Sequence, residues 1–121
     1  MPCILIIDDD PQILQMMQKV LLRVGYDVLS ASDGRQGMNL CNTNHVDLVI
    51  TDIVMPEMEG LEVIMGIKRI LPNVKIMAVS GGARIQADDY LDLASALGAH
   101  RTLAKPFMRE ELLQAVRELL E

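Results

Sequence analysis

The chain has 121 residues, and half of them are hydrophobic, which is enough for one buried core and excludes a disordered segment. The net charge of −6 disfavours non-specific binding to nucleic acid or anionic membranes, although a local basic patch would escape this argument. No apolar run approaches the ~20 residues of a membrane span, and Met1-Pro2-Cys3 lacks the charged start of a signal peptide. We therefore expect one cytoplasmic domain over residues 1–121, without nucleic-acid or membrane partners.

The first half of the chain alternates short apolar runs with amphipathic patterns. The apolar runs are too short for helices and predict buried strands over 3–7, 27–31 and 46–51. Asp10 before Pro11 is typical of a helix start, and this helix is expected to end at Gly25. A second helix is expected to begin at Asp33 and to end near residue 43. Cys3 and Cys41 follow no metal or disulfide spacing and are expected to be reduced thiols.

The second half of the chain shows the same alternation of apolar runs and amphipathic patterns. The pattern predicts helices over 60–71, 88–97 and 108–120, and strands over 74–79 and 101–104. His45 and His100 fall in predicted loops and are expected to be solvated. Five strands that alternate with five helices through short loops predict an α/β domain, in which helices cover both faces of a parallel sheet.

Polar residues stand at four predicted strand ends in an otherwise aliphatic chain: Asp8 and Asp9, Asp52, Ser80, and Lys105. Parallel strands bring these ends to one edge of the sheet, where ligands bind in such folds. Three carboxylates there would repel one another, and a divalent cation together with Lys105 would relieve the repulsion. Carboxylate oxygens without a nearby thiolate or imidazole favour Mg²⁺. Such a set could hold a phosphoryl group on a carboxylate.

With these motifs in place, the chain resembles the receiver domain of bacterial two-component response regulators. The resemblance covers essentially the whole chain and depends on four segments: IIDDD at 6–10, TDIVMPEMEG at 51–60, AVSG at 78–81 and LAKPF at 103–107. It implies a flavodoxin-like (βα)5 three-layer sandwich with strand order 2-1-3-4-5. It also implies a cis peptide bond between Lys105 and Pro106.

The resemblance further implies a role for each site residue. Asp52 would accept a phosphoryl group from a phosphohistidine, and Ser80 and Lys105 would contact that group. Asp9, Asp52 and the backbone carbonyl of Val54 would hold Mg²⁺, for which Mn²⁺ could substitute, with Asp8 acting nearby or through water. Catalysis would be limited to phosphoryl transfer onto the chain itself and its autodephosphorylation, so the protein would not be an enzyme acting on other substrates.

The implied partners are a sensor histidine kinase or a histidine phosphotransfer protein, and a downstream protein that the sequence does not name. A monomer or a weak phosphorylation-dependent dimer is expected. Output would use the surface of the helix over 88–97, the fifth strand and the last helix. Thr102 stands where the family often has an aromatic switch residue, and we therefore expect the loop over 81–89 to rearrange instead.

Two other classes compete with this interpretation. A phosphate-independent docking module on the same fold would fail to bind Mg²⁺. A small phosphatase would use Asp8 as its nucleophile, because Asp8 and Asp10 have Asp-x-Asp spacing after the first strand, but the chain is short for that class. Loss of the phosphorylated protein on changing Asp8 but not Asp52 would favour the phosphatase.

Overall fold

Runs of Ile, Leu and Val form a parallel sheet whose central strands are buried on both faces. The structure, a computed structural model, describes residues 1–53, 60–81 and 98–121. The sheet order is β2-β1-β3-β4-β5, as the resemblance implies for a flavodoxin-like fold. Its strands are β1 (Cys3–Ile7), β2 (Asp27–Ala31), β3 (Leu48–Asp52), β4 (Lys75–Gly81) and β5 (Arg101–Lys105).

Four helices lie within the described ranges: α1 (Pro11–Val24), α2 (Gly34–Thr43), α3 (Gly60–Ile70) and α4 (Arg109–Leu120). The helix predicted over 88–97 lies outside the described residues, as do Val54 and positions 82–89 of the expected output loop. No helix of the described ranges is long and apolar enough to cross a bilayer.

The sheet separates two hydrophobic clusters. One joins α2 and α3 to one face and includes Leu5, Val49 and Ile64, whereas the other joins α1 and α4 to the opposite face and includes Ile50 and Leu112. Residues that alternate along β1 and β3 therefore enter different clusters, as the period of two in a strand requires. This arrangement gives the three layers of the predicted sandwich.

The caps of α1 follow the sequence signals. Asp10 precedes the helix with extended backbone, and its Oδ1 accepts the Gln12 N–H at 2.9 Å. Pro11 occupies the first turn, where its missing N–H costs nothing. Gly25 ends the helix at φ 109°, a left-handed conformation that suits glycine, and its N–H donates to the Leu22 carbonyl at 3.0 Å. Both predicted helix boundaries are confirmed.

Three strands extend further towards their carboxyl ends than the sequence predicts, and β5 does so by including Lys105. β3 includes Asp52, which pairs with Val79, and β4 includes Ser80 and Gly81, which pair with Ala104 and Lys105 of β5. The polar side chains made these positions look like loop residues, but their backbones belong to the ladder. Asp52, Ser80 and Lys105 are therefore carried by the sheet itself, whereas Asp8 directly follows β1.

Both cysteines are free, as expected, with Cys3 half-buried and Cys41 buried. Burial, reinforced by the charge of a Cys3 thiolate, raises the pKa of the Cys41 thiol to about 11. Because the thiolate is the reactive form, Cys41 is inert at neutral pH.

His100 was expected to be a solvated loop residue, but it forms two hydrogen bonds with Ile76. Although His100 is exposed, its ring Nδ1 accepts the backbone N–H of Ile76 at 3.1 Å. The backbone N–H of His100 donates to the Ile76 carbonyl at 2.8 Å. The pair extends the contact between β4 and β5 by one residue. Burial of the ring, followed by the positive charges of Lys68 and Lys75, lowers the pKa of His100. Only an unprotonated Nδ1 can accept this bond.

Protonation of His100 should therefore destabilise the fold. The hydrogen bond to the neutral ring contributes fully to stability above the ordinary histidine pKa of about 6.5. This contribution is lost as the pH falls through the lower pKa of His100 in the folded state. His100→Asn keeps an acceptor but cannot titrate in this range. We expect wild type to lose stability relative to this variant below pH 6, by less than ~1 kcal/mol because the ring is exposed. Chemical denaturation at pH 8 and pH 5.5 measures the difference, and parallel pH slopes would contradict the expectation.

Candidate functional site

The carboxyl ends of four strands meet at one edge of the sheet. Asp8 directly follows β1, Asp52 is the last residue of the neighbouring β3, and Lys105 is the last residue of β5. Ser80 lies near the end of β4, between the strands that carry Asp52 and Lys105. The sheet order thus brings together four residues that are as many as 97 positions apart in the chain.

The Lys105 ammonium joins two buried carboxylates. Its Nζ donates to Asp8 Oδ2 at 2.8 Å and to Asp52 Oδ2 at 3.3 Å. The side chains of Asp8 and Asp52 are 1% and 8% exposed, and that of Lys105 is 16% exposed. Water therefore screens these charges weakly. Neutralising the ammonium or a carboxylate would leave the opposite charge buried and uncompensated.

The protonation state of Lys105 reflects two opposing effects. Burial lowers the pKa of the ammonium, but the hydrogen bond to Asp8 and the negative charge of Asp52 outweigh this effect and raise it above the ordinary lysine value. Lys105 is therefore a permanent cation at physiological pH. The peptide bond that follows it, Lys105–Pro106, is cis as the resemblance implies.

Asp8 has two separate partners. Its Oδ1 accepts the Asp10 N–H at 2.9 Å, while its Oδ2 accepts from Lys105. The carboxylate thus ties the start of α1 to the end of β5. Asp9, in contrast, is exposed.

Three carboxylates lie close enough to share one cation. Single oxygens of Asp8, Asp9 and Asp52 lie within 4.8 Å of one another. Together with Lys105 they leave an excess of two negative charges, which a divalent ion would neutralise. All three donors are hard oxygen ligands, the set that Mg²⁺ prefers. The described residues therefore fit the expected metal, while the Val54 carbonyl lies outside the described residues.

Thr51 supports the backbone of the site, and the sequence analysis did not identify it. It is fully buried, and its hydroxyl donates to the backbone carbonyl of Asp52 at 3.0 Å. This bond holds the backbone at the carboxyl end of β3. The only sequence signal for this role is that Thr51 is a polar residue within an apolar strand. Thr102, the departure from the family pattern, is half-buried on β5 and pairs with Ala78.

A parallel sheet covered by helices on both faces, with an acidic cluster and a lysine at its carboxyl edge, is the arrangement that the resemblance implies for a receiver domain. The family described as "Response regulator receiver domain" matches residues 4–117. The chain belongs to this family of receiver domains of two-component response regulators. The prediction from the four sequence motifs is thereby confirmed.

Known relatives extend this comparison. The transcriptional regulatory protein GlrR of Escherichia coli K12 is 32% identical over 118 residues, covering 98% of this chain and 26% of that protein. A CheY-like receiver domain protein from Methanospirillum hungatei superposes with a TM-score of 0.90 at 29% identity, covering 99% of this chain and 94% of the other. Response regulator TrrA from Thermotoga maritima, solved in complex with Mg²⁺ and BeF, gives 0.86 at 32% identity, covering 99% and 100%. The chain spans from a quarter to half of the length of the curated relatives it matches.

Charge crowding at this edge predicts an unusual effect of removing a site residue. In Asp52→Asn, Lys105 keeps its shorter contact with Asp8, while one of three crowded carboxylates becomes neutral. Without divalent cations we expect the free energy of unfolding to rise by about 1 kcal/mol. Saturating Mg²⁺ should stabilise wild type by roughly 1–3 kcal/mol and the variant by less.

Thermal melts with and without Mg²⁺ measure both effects. Asp27→Asn is the matched control, because Asp27 is exposed at the start of β2, on the opposite edge of the sheet. If Asp52→Asn is less stable than wild type without metal, attraction to Lys105 outweighs the repulsion among the carboxylates and our electrostatic account is wrong.

Proposed function

We propose that the protein transmits a signal by accepting a phosphoryl group on Asp52 from a phosphohistidine of a sensor histidine kinase or a histidine phosphotransfer protein. The observation that carries this proposal is the ion-paired cluster at the sheet edge. Asp8, Asp9 and Asp52 converge there, and Lys105 contacts two of them. Residues 1–121 act as one receiver domain in this proposal.

The proposed reaction is a displacement at phosphorus. A carboxylate oxygen of Asp52 forms the new P–O bond as the P–N bond of the donor breaks. The electron pair of that bond returns to the donor imidazole, which takes up a proton. Transfer of this kind depends mainly on positioning and charge neutralisation. Lys105 is close enough to Asp52 to neutralise charge on the phosphoryl oxygens, and Ser80 would donate to one of them.

Asp8, Asp9 and Asp52, together with the Val54 carbonyl, would hold Mg²⁺, and Mn²⁺ would substitute for it. When bound, the ion would supply the positive charge that lets an anionic phosphodonor approach three carboxylates. A divalent ion is needed because Lys105 leaves two negative charges of the three carboxylates uncompensated. The TrrA structure contains Mg²⁺ and BeF on the same fold, which supports this assignment by similarity.

The Asp-x-Asp spacing of Asp8 and Asp10 does not favour the rival phosphatase. The rival phosphatase would require Asp8 as nucleophile and Asp10 as its acid or base. Both Asp8 oxygens already accept hydrogen bonds, and Asp10 caps α1. Because Asp10 is committed to the helix start, the Asp-x-Asp spacing has a structural explanation.

Phosphorylation would be read by a downstream protein at the surface around β5, α4 and the helix predicted over 88–97, with the loop over 81–89 rearranging. The protein would work in the cytoplasm as a monomer or a weak phosphorylation-dependent dimer. Its chemistry would be limited to its own phosphorylation and dephosphorylation.

Incubation with acetyl phosphate tests the proposed chemistry without a cognate kinase. Intact-mass measurement should show one added phosphate with Mg²⁺ or Mn²⁺ and none with EDTA. Incorporation that does not depend on a divalent ion would contradict the proposed site. A complete absence of incorporation together with no Mg²⁺ binding would favour the phosphate-independent docking module.

A further inference from the structure

Two lysines and a histidine form a cluster at the amino ends of β4 and β5, on the edge of the sheet opposite the acidic site. Lys75 is the first residue of β4, His100 directly precedes β5, and Lys68 lies in the last turn of α3. The proposed phosphoryl transfer uses none of these three residues, which we call the amino-edge cluster. The chain has a net charge of −6, so the cluster is a local basic patch of the kind that net charge does not exclude.

Lys68 of this cluster is held in one position. Its Nζ donates to the backbone carbonyl of Val74 at 3.2 Å. Its aliphatic stem lies against Gly98, where a side chain would meet Cε of Lys68 at 3.2 Å. An ammonium has three N–H donors, and Val74 takes one of them. Much of the entropy cost of fixing a long side chain on a ligand is therefore already met by the fold.

His100 offers a second donor in a fixed position. Its ring Nδ1 accepts the backbone N–H of Ile76 at 3.1 Å, so the proton of the neutral ring is on Nε2, which is a donor. The two anchoring groups, the Val74 carbonyl and the Ile76 N–H, flank Lys75 along the chain. The ammonium of Lys68 and the ring of His100 therefore lie against the same three-residue segment, 74–76.

The charges that act on the His100 ring are both positive. Burial and then the charges of Lys68 and Lys75 lower the pKa of His100. Within the described ranges, neither lysine forms a salt bridge. Capping of the backbone explains one bond of Lys68 and one of His100. It does not explain Lys75, or why two like charges that repel each other are gathered beside these donors.

We propose that the amino-edge cluster binds a phosphate-type dianion, either free phosphate or the phosphate group of a small monoester. Donors on three separate side chains can each reach a different oxygen of a tetrahedral anion, and lysine binds phosphate as a point charge. A carboxylate has only two oxygens and matches the planar fork of arginine better. Binding at this edge does not involve Asp52, so it can fail while the proposed phosphoryl transfer holds, and the reverse.

Titration of inorganic phosphate at pH 8 in metal-free buffer tests the proposal. The ring of His100 is then neutral, and no divalent ion can bring phosphate to the acidic site. Sodium chloride is exchanged for sodium phosphate at constant ionic strength. We expect saturable shifts of the backbone amide NMR signals of Ile76, Gly98 and His100. Saturation by glycerol phosphate as well would assign monoesters to the site, and saturation by inorganic phosphate alone would assign the free ion.

Lys68→Met/Lys75→Met should raise the dissociation constant about tenfold or more, because hydrogen bonds from charged groups are lost. Met keeps most of the aliphatic stem against Gly98, so the fold should be retained. Lys75→Met alone changes an exposed position and should also weaken binding, which keeps the proposal testable if the double variant unfolds.

Lys19→Met/Arg35→Met is the matched control. It removes the same charge at exposed positions on α1 and α2. This control and Asp52→Asn should both bind phosphate as wild type does. The proposal is overturned if chloride alone reproduces the shifts, if both amino-edge variants bind as tightly as wild type, or if the control loses as much affinity as the double variant.

Discussion

Asp52→Asn is expected to reduce phosphoryl incorporation from acetyl phosphate by at least ~100-fold. Asn has nearly the same shape as Asp but lacks the charged oxygen that would attack phosphorus. The substitution also removes one of three carboxylates that would hold the divalent ion. Because Lys105 keeps its contact with Asp8, the fold should survive, and the loss can be assigned to chemistry. Initial rates from intact-mass spectra at saturating Mg²⁺ measure the effect.

Two controls separate acceptor loss from general charge loss. Asp27→Asn makes the same change at the opposite edge of the sheet and should leave the rate within twofold of wild type. Asp9→Asn removes a predicted metal ligand but not the acceptor, so a higher Mg²⁺ concentration should restore part of its activity. Equal rates for Asp52→Asn and wild type would show that another residue accepts the phosphoryl group.

Lys105→Met is expected to lower the free energy of unfolding by about 2–3 kcal/mol in the absence of divalent cations. Removing one partner of a buried ion pair costs about 3–5 kcal/mol, and the 16% exposure of the lysine reduces that cost. Met preserves most of the aliphatic length, so the loss reports mainly the two carboxylates that remain without their ammonium. Urea denaturation in EDTA measures the change.

The same variant should respond strongly to metal. Mg²⁺ would replace part of the lost positive charge, so the difference in stability between wild type and Lys105→Met should shrink at saturating Mg²⁺. Lys75→Met provides the control, because Lys75 is exposed and forms no ion pair within the described residues. If the two variants are equally stable, the contacts of Lys105 with Asp8 and Asp52 contribute little to the fold.

Most of the fold was predictable because each element has a local physical cause. Asp10, Pro11 and Gly25 define the ends of α1 through capping and backbone preferences, and the structure confirms them. The errors fall at strand ends. Asp52, Ser80 and Lys105 look like loop residues but belong to the ladder, and β3 begins at Leu48, two residues later than predicted. Register depends on the neighbouring strand, which a local pattern does not contain.

The composition of the candidate site was also predictable, but its internal contacts were not. Parallel strand ends predict that Asp8, Asp52 and Lys105 meet. They do not predict that Asp8 would accept the shorter hydrogen bond from Lys105 and also the Asp10 N–H.

Borohydride trapping tests the central claim most directly. Hydride reduces an acyl phosphate to an alcohol and releases phosphate, so a phosphorylated aspartate becomes homoserine. After incubation with acetyl phosphate and Mg²⁺, reduction and peptide mass spectrometry should locate homoserine at position 52 alone, and at no position when EDTA is present. Homoserine at position 8 or 9 instead of 52 would contradict the account and return Asp8 to consideration as the nucleophile.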